Sequence, residues 1–150
     1  MEQALGSAAE AVRQDPAGIN SALALAIQAR AALWLRDADG AEDALRGMET
    51  FRGRWTGAAR ETTRAGLAAL RRNVEQATDG YRRAVAEWRA MDVPLDLALC
   101  DLDMVTLLGP DGAAEETLRE AREILERIGV TPFLERLDEV SRVESSSPAQ

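Results

Sequence analysis

The sequence contains no histidine and no lysine, and Cys100 is its only cysteine. A single cysteine without histidine can form neither an intramolecular disulfide nor a Cys/His metal site. It also lacks the neighbouring imidazole that usually activates a nucleophilic thiol. We therefore expect Cys100 to be a small buried or half-buried helix residue, and we expect no metal or cofactor.

Positive charge is scarce as well. The 18 basic residues are all arginine and face 26 acidic residues, which gives a net charge of −8 at pH 7. Binding of nucleic acid or of an anionic membrane needs a basic face, so this composition argues against both partners. No apolar run reaches the ~20 residues of a membrane span, and residues 1–15 lack a signal-peptide pattern. We expect a soluble protein of the cytoplasm.

Aromatic residues make up only 4% of the chain although 46% is hydrophobic, so the core must consist mainly of leucine and alanine. No stretch alternates apolar and polar residues over the length of a strand. The sequence therefore predicts an all-α protein with one domain over residues 1–143 and a solvated tail over residues 144–150.

An apolar stripe at helical spacing occurs three times, at offsets of about 33 and about 37 residues. Such periods are typical of stacked helical hairpins, because one hairpin cannot bury its apolar face alone. The three stripes are Ala44, Met48, Phe51 and Trp55; Ala77, Tyr81, Ala84, Trp88 and Met91; and Ala114, Leu118, Ala121, Leu125 and Ile128.

Capping and turn signals divide the chain into helices. We expect Asp39-Gly40 to form a turn, Gly53 to lie inside a helix, Thr56-Gly57 to end the first hairpin, and Asp79-Gly80 to make an irregular first turn. The expected helices cover about 2–14, 16–36, 41–55, 58–72, 74–91, 94–108, 113–128 and 132–143.

Two of these helices carry specific packing predictions. The helix over 58–72 has few large apolar residues, which suggests close packing through small side chains. The helix over 16–36 is expected to bury a stripe of Ile19, Leu23, Ile27, Ala31 and Leu35.

The small–bulky–small spacing of Ala77, Tyr81 and Ala84 resembles the second helix of a tetratricopeptide repeat. Residues 64–137 resemble the C-terminal end of the tetratricopeptide-like region in large bacterial signalling ATPases and in LuxR-type or adenylate-cyclase-linked regulators. The segments that carry this resemblance are 66–70, 84–89, 94–98, 121–129 and the closing Pro132–Leu137. The resemblance implies a right-handed superhelix of about three hairpins plus terminal helices.

The resemblance also implies a protein-interaction or signal-sensing role, without the nucleotide-binding, cyclase or DNA-binding parts of those regulators. The helix over 2–14 looks like the second half of an earlier hairpin, so we expect the chain to be the end of a longer protein.

Asp96, Asp101 and Asp103 are the strongest candidates for chemistry. We expect them to lie on a solvated helix face, with a divalent-ion site or an acid/base pair as the alternative. Arg71-Arg72 and Arg82-Arg83 form the most basic patch. Salt links to Glu75, Asp79 and Glu87 are the expected explanation, and an acidic or phosphorylated partner is the alternative.

We expect Trp55 and Trp88 in the core. Trp34 lies one residue off the predicted stripe and is the aromatic most suited to a concave binding surface. The sequence therefore predicts a non-enzymatic module whose inner helices hold a protein or peptide partner, in a groove formed by Arg30, Trp34, Arg64 and Asp101. The alternatives are a self-associating scaffold, such as a homodimer, and a metal-dependent enzyme that uses the three aspartates.

Overall fold

A computed structural model describes residues 18–109 and 114–145, and all regular structure in these ranges is helical. This confirms the all-α prediction for the described part of the chain. The helices are α1 Ile19–Trp34, α2 Ala38–Met48, α3 Arg54–Leu70, α4 Val74–Met91, α5 Pro94–Leu108, α6 Ala114–Ile128 and α7 Thr131–Ser145.

Successive helices pack as pairs, α1 with α2, α3 with α4 and α5 with α6. The first helices of these pairs also contact one another, α1 with α3, α3 with α5, and α1 with α5. The second helix of each pair also packs on the helix that follows it, α2 on α3, α4 on α5 and α6 on α7. Helix α7 contacts α5 as well. All three pairs contribute residues to the largest cluster of buried apolar side chains, and two smaller clusters accompany it in the described part of the chain.

Two of the pairs have the same connection. Arg36 and Arg72 both have a left-handed backbone, with φ of 59° and 63°. The next residue, Asp37 or Asn73, caps the following helix by accepting a hydrogen bond from a backbone N–H three residues on, at 2.9 Å and 3.2 Å respectively. Asp39-Gly40 consequently belongs to the first turn of α2, and the predicted turn at that position is wrong.

The predicted end of the first hairpin is also wrong. Helix α2 stops at Met48, and Gly53 lies in the connection with φ of 122°, a conformation that favours glycine. Trp55 therefore stands in the first turn of α3 rather than at the end of α2. Thr56-Gly57 continues α3 and does not terminate a hairpin.

The predicted inward face of α1 is wrong for its large residues. Leu23, Ile27 and Leu35 are 47%, 43% and 48% exposed. Ala31, which belongs to the same predicted stripe, is buried. The Ile19 side chain lies outside the described side chains. Because α1 is apolar around most of its circumference, periodicity alone does not select a face. Contacts with α2, α3 and α5 select the opposite one, made of Ser21, Ala22, Ala24, Leu25, Ala29, Ala32 and Leu33.

The prediction of close packing through small residues is confirmed for α3. Its buried residues are one leucine together with alanine, threonine and glycine. A Cβ atom added to Gly80 of α4 would stand 2.9 Å from Cβ of Ala65 and 3.4 Å from its Cα, so glycine lets the two helices approach. Gly80 lies within a continuous helix, and the predicted irregular first turn at Asp79-Gly80 is wrong.

The largest fully buried apolar side chains, all but Leu33 in the same cluster, are Trp88, Tyr81, Leu33, Met48, Leu102, Leu125 and Leu137. The predicted helix over 2–14 and residues 146–150 of the predicted tail lie outside the described residues. Helix α7 extends to Ser145, two residues beyond the predicted end of the domain.

Candidate functional site

A polar network lies where α1 meets α5. The Arg30 Nε–H donates to both carboxylate oxygens of Asp103, at 3.0 Å and 2.9 Å, and the Trp34 Nε1–H donates to Oδ1 at 2.7 Å. The Asp103 side chain is 1% exposed, and the Arg30 side chain is 18% exposed. We call these three residues the Asp103 network; it joins the first and third hairpins.

Burial and charge pairing oppose each other at both ionisable groups of this network. Burial raises the pKa of Asp103, and the Arg30 charge and the hydrogen bonds from Arg30 and Trp34 act in the opposite direction. Burial lowers the pKa of Arg30, but the charge and hydrogen bond of Asp103 outweigh it, so the net pKa of Arg30 is raised. Arg30 therefore remains a cation, and it is the group that keeps a carboxylate tolerable at this depth.

The other two tryptophans surround the same region. Trp88 Nε1–H donates to Thr62 Oγ1 at 3.0 Å, and Trp55 Nε1–H donates to Asp96 Oδ2 at 3.3 Å. The two indole rings meet edge to face, with centroids 5.8 Å apart and planes at 66°. Trp88 is buried as predicted, and Trp55 is half-buried against the core.

The cavity beside these residues has a volume of about 20 Å³. It is bounded by Arg30, Trp55, Trp88, Asp96 and Asp103, among others. Such a volume holds roughly one water molecule. The Arg136 guanidinium of α7 lies 5.2 Å from the Trp34 ring centroid, a cation–π distance that covers this ring from another side. The described side chains therefore close the space between α1, α3 and α5 to a peptide.

The three candidate aspartates do not share a solvated face, so that prediction is wrong. Asp101 and Asp103 are 2% and 1% exposed, and Asp96 is half-buried. Among the described residues, no three His, Cys, Asp or Glu side chains are grouped so that they could hold a metal ion. Helical spacing could not foresee this burial, because α5 is covered on several sides by α1, α3, α4 and α6.

Asp101 is the least satisfied member of the set. Its Oδ2 atom has no hydrogen-bond partner among the described residues. Burial and the neighbouring Glu120 charge raise the pKa of Asp101 to about 8, against a smaller lowering by Arg89. At neutral pH this side chain is therefore largely protonated.

Cys100 is fully buried, in agreement with the prediction of a small helix residue. Its Sγ atom lies 3.8 Å from Thr62 Oγ1. Burial raises the pKa of the thiol far above its ordinary value, which disfavours the thiolate that nucleophilic chemistry requires.

A surface groove of about 540 Å³ lies where α2 and the start of α4 flank α3. Its floor includes Leu45 and Leu67, and its charged side chains are three arginines and one glutamate. We call it the arginine groove and define it by Glu42, Leu45, Arg46, Arg64, Leu67 and Arg71.

The four residues predicted to form one groove lie in three places. Arg30 and Trp34 are together in the Asp103 network, Asp101 is buried elsewhere on α5, and Arg64 lines the arginine groove. Sequence reasoning named Arg64 and Arg71 for different reasons and missed Arg46. Nothing in the sequence of α2 distinguishes Arg46 from other surface arginines, since only the packing of α2 on α3 brings it there.

The basic patch is largely paired, but mostly with other carboxylates than predicted. Arg71 pairs with Glu42, and Arg83 Nη2 lies 2.7 Å from Glu61 Oε1. The expected link to Asp79 exists, from Arg82 at 3.7 Å. Glu87 instead binds Arg54, at 2.9 Å.

Comparison of the chain with protein-family models, with curated proteins and with solved structures finds no match. No helix within the described ranges is both long and apolar enough to cross a membrane.

Proposed function

We propose that the chain is a non-catalytic protein-interaction module of tetratricopeptide-like hairpins, acting within a larger bacterial signalling or transcriptional regulator in the cytoplasm. The proposal is supported by the difference between the Asp103 network and the arginine groove. The space between the first helices is filled by the Asp103 network, whereas the arginine groove is open and has an apolar floor with charged edges.

The arrangement suits binding rather than catalysis. Burial raises the pKa of both Cys100 and Asp101, and neither residue lines the arginine groove. The groove itself offers guanidinium groups and aliphatic surface, which recognise carboxylates and apolar side chains. Its partner would be a segment of another protein or of another domain in the same regulator.

Site-specific cross-linking in the source cells tests this role. A photo-reactive amino acid at Arg64 should capture a defined protein, or another part of the same regulator. The same amino acid at the exposed Glu135 on α7 serves as the matched control. Equal products from both positions, or none from Arg64, would refute the binding function of the groove.

The size of the native gene product tests the second part of the proposal. An antibody raised against the chain should detect a band far above 16.3 kDa if the module belongs to a larger regulator. A band near 16.3 kDa would contradict that part and leave a free-standing adaptor.

Self-association is a second candidate, favoured by the apolar surface of α1. Leu23 and Ile27 are four residues apart and both over 40% exposed, so they form a continuous apolar strip. Sedimentation should then show a mass that rises with concentration, and Leu23→Glu should abolish the rise. A constant monomer mass would exclude this alternative.

A further inference from the structure

We infer that the arginine groove binds an acidic peptide segment that carries a large aliphatic side chain. The inference rests on the proposed interaction function and adds the chemistry of the partner. It follows from the charges at the edges of the groove, the apolar atoms of its floor and the state of its existing ion pairs.

The charge of the groove is opposite to that of the chain. Arg46, Arg64 and Arg71 line it together with a single acid, Glu42, although the whole chain carries a net charge of −8. Three arginines on an anionic protein favour an acidic segment at this place, provided that its carboxylates replace the internal partners of the arginines, while the rest of the surface repels nucleic acid. This contrast favours a short acidic peptide over a long polyanion.

The three guanidinium groups of the groove can exchange their internal carboxylate partners for a carboxylate of a ligand. Their side chains are 67%, 50% and 59% exposed, and they pair with Asp43, Glu61 and Glu42 respectively. The Arg64–Glu61 contact is loose, at 3.9 Å. Exposed pairs of this kind contribute little, so a ligand carboxylate can replace the internal partner at small cost.

The floor and one end of the groove indicate a peptide. Leu45 is half-buried and supplies aliphatic surface between the arginines, whereas Leu67 is 3% exposed and only closes the floor. This surface suits a leucine or isoleucine of the ligand. Asn73 and Gln76 line the groove at the start of α4, and side-chain amides can both donate to and accept from a peptide backbone. A carboxylate alone would leave the apolar floor uncovered.

Fluorescence anisotropy with the full 150-residue chain tests the inference. The probe is a labelled peptide of about ten residues, roughly 33 Å when extended, in which glutamate and leucine alternate. Two control peptides replace glutamate by lysine or leucine by serine. We expect saturable binding of the Glu/Leu peptide, at least about tenfold tighter than either control, which weakens as salt increases.

Variants then locate the site. Arg64→Gln and Arg71→Gln should each weaken binding by at least about fivefold, as expected for the loss of one charged contact. Arg119→Gln on α6 is the matched control, since Arg119 is 68% exposed and lies outside the groove; its effect should stay below about twofold. Unchanged thermal melting of all three variants shows that folding is not the cause.

Three results would overturn the inference: no binding of the Glu/Leu peptide up to about 1 mM, equal effects of the three variants, or tighter binding of single-stranded oligothymidine than of the peptide. These outcomes are distinct from failure of the proposed function. A cross-link from Arg64 in cells combined with no peptide binding would keep the interaction role and reject the acidic partner.

Discussion

Arg30 and Asp103 are 73 residues apart in sequence and form an ion pair in which one nitrogen lies 2.9–3.0 Å from both carboxylate oxygens. The pair joins the first hairpin to the third and therefore depends on the correct stacking of all helices between them. Asp103 is 1% exposed, so bulk solvent cannot replace Arg30 as the partner of its carboxylate.

Removing one member of this pair should destabilise the fold strongly. We expect Asp103→Leu or Arg30→Met alone to lower the free energy of unfolding by about 3–5 kcal/mol, because each leaves one ionisable group buried without its partner. The double variant should lose much less than the sum of the two. Urea denaturation of the four proteins in a double-mutant cycle measures the coupling. Additive losses would show that the two residues do not act as a pair.

The raised pKa of Asp101 predicts a pH-dependent stability. The unfolded side chain loses its proton near pH 4, whereas the folded one keeps it up to about pH 8. The folded state thus binds more protons between these values, and stability falls as pH rises through this window. Glu120, Arg89 and Asp103 are the charged groups that act on Asp101, so their states enter the same curve.

Asp101→Asn removes this titration while keeping the shape of the side chain. We expect it to raise stability by up to about 5 kcal/mol at pH 8, since the pKa differs by about four units between the folded and unfolded states, with a difference that shrinks towards pH 4. Thermal melting across pH 4–9 provides the measurement. A difference that does not vary with pH would contradict the assignment.

Two glycines in helices should respond oppositely to alanine. Gly80→Ala places a Cβ 2.9 Å from Cβ of Ala65, so α3 and α4 must separate, and we expect a loss of about 1–3 kcal/mol. Gly57→Ala meets no atom within 4 Å and should stabilise α3 by up to ~1 kcal/mol. Chemical denaturation of both variants checks the prediction. A gain at Gly80 would mean that the contact between the two helices is loose.

Cys100 should be inert while the protein is folded. Its complete burial and the raised pKa of its thiol predict that a maleimide reacts only with molecules that have opened. The labelling rate should therefore rise with urea in parallel with unfolding, and Cys100→Ser should abolish the signal. Rapid stoichiometric labelling in native buffer would contradict the burial of this residue.

Which helices pack together was largely predictable, but which face of a given helix is buried was less so. In α4 the buried residues Ala77, Tyr81, Ala84 and Trp88 match the predicted stripe, because this helix is clearly divided into an apolar and a polar side. In α1 the same reasoning selected Leu23 and Ile27, which are exposed. An Ala-rich helix has apolar residues in almost every direction, so only its neighbours decide the buried side.

The candidate site shows the same difference between what the pattern along one helix predicts and what the packing of helices decides. The position of Trp34 off the predicted stripe predicted a concave binding surface, yet its indole donates a hydrogen bond to the buried Asp103. Arg64 does line a groove, but its companions Arg46 and Arg71 come from packing between helices. Local patterns cannot express such pairings, since they record spacing along one helix and not the angle between two.

The sequence by itself determined the helical class and the helix boundaries near Pro94, Leu108 and Thr131, because these depend on interactions within about four residues. The tertiary structure alone decided that Asp101 and Asp103 are buried and that Arg30 meets Asp103. It also decided that the accessible groove lies beside α3 rather than between α1 and α5. The physical reason is that burial and electrostatic pairing depend on contacts between residues distant in sequence, and these exist only when the hairpins have stacked.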